Sequence, residues 1–330
     1  MNGTRLPAEM PPGPAPAGPR VLVLGGAGFI GRHAVAALLA RGLPVEIGSR
    51  HPDRVAHRLP PEARFCPRRR AHFEDLLAPE DWITLLTDID VVVNCVGILR
   101  QRGRETYDRV HHRAPAALAE ACRRRGLRLV HVSALGLEAP ARSGFLRSKR
   151  DGEAALRRSG ANACIVRPSL LDAETGGYGA LWLRRVARWP VHALPADATG
   201  RIAALDVRDL GDALAVLAQR ALLAPAGEPA EIELGGEQAL PLRDYLAQLR
   251  RLHSARAALV LPIPGWLARL GSHACDLLHV TPFSFGHWEL LRRDNCPRVN
   301  QLPQLLGRPP RPIGAAAASP AFAPAPAPVA

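Results

Sequence analysis

Lysine is almost missing from this chain. Of its 43 basic side chains one, Lys149, is a lysine. Arginine serves at every other cationic position, so Lys149 does not read as one of many exchangeable surface charges. A compact ammonium on a flexible stem does what a planar guanidinium fork does not. Cysteine is sparse too. Cys66, Cys95, Cys122, Cys164, Cys275 and Cys296 are widely spaced, with no C-x-x-C, which speaks for free, mostly buried thiols. Aromatics make up 5% of the chain and do not interleave with basic runs, so the net charge of +13 lacks the pattern of a nucleic-acid surface. The arginines fall in short runs such as Arg68–Arg70, Arg123–Arg125 and Arg292–Arg293, which predicts a solvated, arginine-coated exterior. No apolar run reaches the ~18 residues of a membrane span. The N-terminus has no apolar signal core, and the expected location is cytoplasmic, at most peripheral to the inner membrane. No G-x-S-x-G elbow, P-loop or kinase motif set occurs.

What is present suffices for one α/β domain with a smaller lobe. Residues 1–19 and 313–330 are rich in proline and alanine and are expected to bury no core. The folded unit is expected over 20–312, with a dinucleotide-binding domain over 20–170. Residues 171–312 would supply the remaining sheet elements and a C-terminal lobe facing substrate or partner.

The strongest local pattern is R-V-L-V-L-G-G-A-G-F-I-G-R-H-A-V-A-A-L-L-A-R-G. Val21–Leu24 reads as a short apolar strand. Gly25, Gly28 and Gly31 follow at three-residue spacing, and an amphipathic helix then runs to near Gly42. Glycines there let the backbone turn tightly and approach a pyrophosphate, with Phe29 and Ile30 at the helix start, where the dipole favours negative charge. A second strand is expected at Pro44–Ile47. The residues after it, Ser49 and Arg50, lack the usual acidic ribose ligand. Arginine matches a 2′-phosphate, so NADP(H) is favoured, while nearby Asp53 keeps NAD(H) as the alternative. Arg32 is placed either to reach phosphate or to face solvent.

Strand and helix signals continue to alternate. Asp90–Val96 reads as a buried parallel strand holding Asn94 and closed by Gly97. A helix is expected over Ala114–Arg125, and a strand over Leu127–Val132 that ends at Ser133. A helix then carries Lys149 to Arg158, and a strand over Ala163–Val166 leads into Arg167. This spacing predicts a Rossmann-type doubly wound parallel sheet, with its ligand at the carboxyl edge.

Several of these stretches resemble the atypical and extended short-chain dehydrogenases, the epimerase/dehydratase type. They are G-G-A-G-F-I-G-R at Gly25–Arg32, V-V-N-C-V-G-I-L at Val92–Leu99, V-H-H-R-A-P at Val110–Pro115, H-V-S-A-L-G at His131–Gly136, F-L-R-S-K-R at Phe145–Arg150 and I-V-R-P-S at Ile165–Ser169. L-D-V-R-D-L at Leu205–Leu210 resembles the family's strand ahead of a late helix, and Thr281–Asn295 its C-terminal segment. The nearest branch contains the dinucleotide-binding accessory subunit of respiratory complex I and its bacterial relatives. The resemblance implies a cofactor site formed by Gly25, Gly28, Gly31, Arg50, Asn94, Gly97, Lys149 and Arg167. It makes Lys149 the lysine of Y-x-x-x-K, which holds the nicotinamide ribose, and Ser133 the strand-end serine. Two positions depart from it. Phe145 stands where the tyrosine acid/base belongs, and His111 where many extended enzymes have a helix asparagine. Some bacterial relatives add a membrane module of about four helices, whereas this sequence runs into a Pro/Ala tail.

Carbonyl reduction needs a hydride and a proton, and phenylalanine supplies no proton. Ser133 can still orient a substrate or steady an oxyanion. Tyr178, His131, His111 and Tyr107 are the substitute acids available on paper, with Tyr178, in a Gly-rich stretch, the best of them. His273, Cys275, Asp276 and His279 cluster in sequence, but on a helix His273 and His279 face apart, so no metal is expected. Leu259–Leu270 reads as a lobe helix packed on the core, with an interfacial membrane or partner-docking element as the alternative. The expected function is an NAD(P)(H)-binding accessory or redox-sensing protein with weak or no classical reductase activity. The alternative is a working oxidoreductase or epimerase using a substitute acid, acting on a quinone or small carbonyl. A respiratory-complex or membrane partner fits either.

Overall fold

The computed structural model describes residues 18–138, 140–220, 229–278 and 283–314. The two tails lie almost wholly outside the described residues. Seven parallel strands form the central sheet: β1 (Val21–Leu24), β2 (Val45–Ser49), β3 (Arg68–Arg70), β4 (Val91–Asn94), β5 (Arg128–Val132), β6 (Ala163–Pro168) and, later in the chain, β11 (Ala230–Leu234). Their order is β11-β6-β5-β4-β1-β2-β3. The order reverses direction at β1, which pairs with both β2 and β4, and a ligand crevice opens at such a point. The expected Rossmann-type sheet is therefore present.

Period-two alternation feeds the two layers. Val21 and Val23 point into a core with α1 (Gly31–Leu39) and α5 (Val207–Gln219). Leu22 and Leu24 point into the opposite core, with α2 (Ala114–Arg125), Trp82, and Leu156 of α3 (Gly144–Ser159). Burial on both faces explains why β1 and β4 are wholly apolar until Asn94. Helix α2 has the expected bounds and stops where Gly126 takes φ +68°, a left-handed cap. Helix α3 starts on Ser143, whose hydroxyl accepts from the Leu146 N–H.

The C-terminal lobe is built from short pieces. Strand β7 (Leu171–Asp172) pairs with β10 (Leu205–Asp206), and β9 (Arg201–Ile202) with β12 (Leu240–Pro241). Strand β8 (Val191–Pro195) pairs with β13 (Leu259–Ile263). Helices α4 (Tyr178–Ala187), α6 (Leu242–Arg251), α7 (Gly265–Leu278) and α8 (Phe285–Leu291) complete it, while α9 (Leu302–Leu306) packs Leu302 and Leu305 into the core shared by α1 and α5.

Arg68–Arg70, read as part of an arginine-coated exterior, forms an edge strand in which Arg69 is satisfied by the Glu46 carboxylate at 2.5 Å. One expectation needs correction. Leu259–Leu270 is not one lobe helix. Its first half is strand β13, and helix starts only past Pro264, because proline cannot sit inside a helix ladder. All six cysteines are free. Cys122 and Cys164 are buried and the other four partly so. Among the described residues no helix is long and apolar enough to cross a membrane.

Candidate functional site

The glycine loop is held by its own backbone. Gly25 takes φ +72°, and the Gly28 N–H donates to the Gly25 carbonyl at 2.8 Å. A Cβ on Gly31 would run into that carbonyl, and one on Gly28 would come within 2.9 Å of it. Only glycine leaves this cradle open. Just before α1 the N–H groups of Phe29 and Ile30 have no hydrogen-bond partner among the described residues. Two donors at a helix start suit an anion.

The end of β2 and the stretch after β7 frame this loop. Arg50, half exposed, follows β2 and ion-pairs with Glu105. Asp53 pairs with Arg70 at 3.4 Å. Arg32 does neither of the things expected of it: its guanidinium lies over the Phe29 ring and donates to the Thr175 carbonyl at 2.5 Å. Gly176 and Gly177 lie so close beneath Arg32 and Phe29 that a Cβ on either would strike them. Tyr178 opens α4 directly after this contact and is 53% exposed.

At the other end of the cleft α3 presents Phe145 and Lys149 one turn apart. The Lys149 ammonium makes no hydrogen bond or ion pair among the described residues. It lies 5.8 Å from the Phe145 ring centroid. Burial pulls its pKa from 10.5 down to about 8, against the opposing charge of Glu153. Ser133, just past β5, is buried beside the Glu153 carboxylate, and its Oγ makes no hydrogen bond of good geometry. Around Phe145 stand Tyr107 at 5.7 Å, His111 at 5.5 Å and His287 at 6.0 Å between ring centroids. An unpartnered ammonium, an unpartnered hydroxyl, a glycine cradle and free N–H donors at one sheet edge fit a dinucleotide with ribose hydroxyls and phosphates.

Three of the four substitute acids have other tasks. His111 sits in a π-helical turn over Asp108–Arg113. Its Nε2 accepts from the Ile98 N–H at 3.0 Å, so Nδ1 carries the proton and faces Ser148 Oγ at 3.1 Å. Burial first, then Lys149, holds its pKa well below the ordinary value. His131 Nδ1 meets the Asn94 amide at 3.0 Å, and burial lowers its pKa to about 4. The Tyr107 hydroxyl donates to the Leu99 carbonyl at 2.9 Å, and burial raises its pKa.

Two residues expected to line the cofactor site are tied up by neighbours, and a third is open. Asn94 braces the β4 turn, accepting from the Val96 N–H at 3.0 Å while its amide meets His131. Gly97 is exposed past the end of β4. Arg167 is buried in a cage of carboxylates. Glu153 takes it bidentately at 2.9 and 2.5 Å, with Glu231 at 3.0 Å and Glu138 at 3.3 Å. Its donors thus face carboxylates rather than open crevice.

Sequence reasoning missed Glu153, His287 and Glu289. The two oxygens of Glu289 accept from the Arg142 and Ser143 N–H groups at 2.9 and 2.8 Å, so α8 clasps the start of the helix that carries Phe145 and Lys149. His287, on the same helix, stacks on Phe145; burial lowers its pKa to about 4. The triad His72, Glu74 and Asp75 brings three candidate metal ligands together, but Asp75 is already paired with Arg104 at 2.7 Å and is exposed. His279 lies outside the described residues, so the His273–His279 cluster is not complete in the structure.

Residues 25–185, just under half of the chain, match a family described as NAD(P)H-binding, in keeping with this geometry. Among curated proteins, a ceramide reductase of Caulobacter vibrioides is 34% identical over 196 residues, covering 57% of this chain and 57% of that protein. The match therefore spans little more than half the length of that relative. Among solved structures, a nucleoside-diphosphate-sugar epimerase from Staphylococcus aureus superimposes with a TM-score of 0.67 at 15% identity, over 89% of this chain and 98% of that one. A UDP-glucose 4-epimerase of Thermus thermophilus, solved in complex with NAD, gives 0.54 at 23% identity over 74% and 86%. At these identities the structures share a fold.

Proposed function

We propose that the chain is an NAD(P)(H)-binding protein of the atypical short-chain dehydrogenase type, selective for NADP(H), with weak or no classical reductase activity. The observation that carries this is Lys149, a desolvated ammonium without a hydrogen-bond or ion-pair partner among the described residues, set one helical turn from a phenyl ring where an acid would stand. The glycine loop and the Phe29 and Ile30 N–H groups would hold the pyrophosphate. Lys149 would hold the nicotinamide ribose, and Arg50 a 2′-phosphate once released from Glu105. The bound nicotinamide supplies or accepts a hydride. What the described residues lack beside it is a free proton donor: Phe145 has none, and His111, His131 and Tyr107 are engaged. Such a site senses or stores a reduced nucleotide, as an accessory or redox-sensing protein does, in a respiratory complex or at a membrane. Calorimetric titration of NADPH and NADH into wild type and Arg50→Ala tests the reading. It expects tighter NADPH binding that Arg50→Ala abolishes; equal affinities unmoved by the substitution overturn the selectivity.

A second reading is favoured by the similarity to a ceramide reductase. Here the protein is a working oxidoreductase on a carbonyl lipid of that class, with a quinone or small carbonyl as the simpler substrate. The hydride goes to the carbonyl carbon and Tyr178 gives the proton to its oxygen. Tyr178 is half exposed on the glycine-loop side of the cleft, so a substrate would have to bring its carbonyl there. NADPH oxidation with such a lipid, slowed in Tyr178→Phe, supports it; brisk turnover unaffected by that substitution removes Tyr178 from the role.

A further inference from the structure

Helix α7 wears its large side chains on the outside. It buries Ala268 and Ser272, one turn apart, and exposes Trp266 at 70%, Leu270 at 61% and Leu278 at 65%. A helix that only closed a lobe would turn its bulk inward. Beside it, the β8–β13 ribbon exposes Leu259, Val260 and Leu261 in succession along β13, while β8 keeps His192 buried. Trp189 is exposed at the entry to β8. The ribbon and α7 adjoin: the Ala196 N–H bonds the Ile263 carbonyl, and the Asp197 carboxylate lies against Gly265 at the helix start. A groove of about 600 Å³ lined by Trp266, Arg269, Leu270 and Trp288 opens on the same face. Contiguous exposed apolar surface on this scale marks a contact site.

The rim is cationic. Arg185, Arg188 and Arg256 are exposed, and none of their guanidinium groups has a hydrogen-bond or ion-pair partner among the described residues. Arg250 draws the two stretches together, donating to the carbonyls of Ala187, Arg188, Trp189 and Arg256. The carboxylates nearby are already neutralised, Asp197 by Arg292 at 3.0 Å and Asp276 by Arg100 at 2.5 Å. A two-fold dimer through this face would set the patch against itself and bring like charges together. A surface of anionic headgroups over acyl chains answers both features at once: tryptophan and leucine enter the boundary and arginine stays at the phosphates.

We propose that the C-terminal lobe docks on an anionic phospholipid bilayer through α7 and the β8–β13 ribbon. The contact is independent of how the dinucleotide site works. Cosedimentation of the full chain with mixed phosphatidylcholine–phosphatidylglycerol vesicles, and with phosphatidylcholine alone, tests it. Binding is expected to the mixed vesicles and to fall as salt is raised. Trp266→Ser/Leu270→Ser should weaken it by roughly tenfold or more, since large apolar side chains no longer leave water. Arg185→Glu/Arg188→Glu should weaken it by about tenfold or more through lost attraction to the headgroups. All four residues are exposed and outside the dinucleotide site, so NADPH titration should be unchanged in both variants and reports that the fold is intact. Wild type left in the supernatant with mixed vesicles overturns the proposal, as do variants that bind like wild type. A dimer by light scattering that Trp266→Ser/Leu270→Ser splits, without vesicle binding, overturns it in favour of an interface between copies.

Discussion

Lys149→Met should make the nucleotide-free protein more stable and its nucleotide complex weaker. Methionine keeps an unbranched stem and removes the charge. In the fold Lys149 titrates at about 8 rather than 10.5, because burial penalises its ammonium more than Glu153 supports it. That difference places an upper limit of about 3 kcal/mol on what the charged lysine costs the folded state near neutral pH. The sign follows from proton binding. Between pH 8 and pH 10.5 the unfolded chain holds this proton and the native state does not. Wild-type stability from this group therefore climbs with pH through that window and is flat below it. In Lys149→Met that climb is absent, while the cysteines and tyrosines titrate alike in both proteins, so the difference isolates the lysine. Urea unfolding of both near pH 7 and near pH 10, with NADPH titrations alongside, reads stability and function separately. A variant of unchanged or lower stability near pH 7, with the wild-type pH profile and wild-type NADPH affinity, would refute the argument and make the lone lysine an accident of coding.

The remaining predictions address other parts of the site. Glu105→Gln should tighten NADPH binding and leave NADH nearly unmoved, because it frees Arg50 from its ion pair; calorimetry reads it. Lys149→Arg keeps the charge but not the reach, and should weaken nucleotide binding in the same titration. Phe145→Tyr should raise NADPH oxidation against a panel of quinones, aldehydes and ketones by about 10²–10⁴-fold, the usual worth of a positioned general acid; a wild type already turning over briskly would contradict it. Glu153→Gln should cost roughly 3 kcal/mol in urea unfolding, since it takes the bidentate partner from a buried guanidinium.

The parts legible in the sequence are those written locally. The strand–glycine–helix entry, the apolar run into Asn94, and α2 from Ala114 to Gly126 each depend on neighbours within a few residues. Period and capping suffice to place them. The other half of the site is made by contacts across the fold. Nothing near Arg167 in the sequence marks it for Glu153, and nothing near Phe145 announces His287. Glu289 reaches the Ser143 N–H across 146 positions. Edge strand β3 was hidden for a related reason: R-R-R carries no β signal, and its pairing is supported by Glu46 on the neighbouring strand. Proline disguised β13, because Pro262 is tolerated only in a ribbon that leaves its N–H side unpaired.

The central claim is that this crevice holds NADP(H). Incubating the purified full chain with equal amounts of NADPH and NADH, removing free nucleotide, and identifying by mass spectrometry what the denatured protein releases is its most direct test. The account predicts NADP(H), retained by wild type and lost from Lys149→Met. Release of NAD(H) alone would contradict the selectivity read from Arg50, and a folded wild type that retains no nucleotide would contradict the account itself.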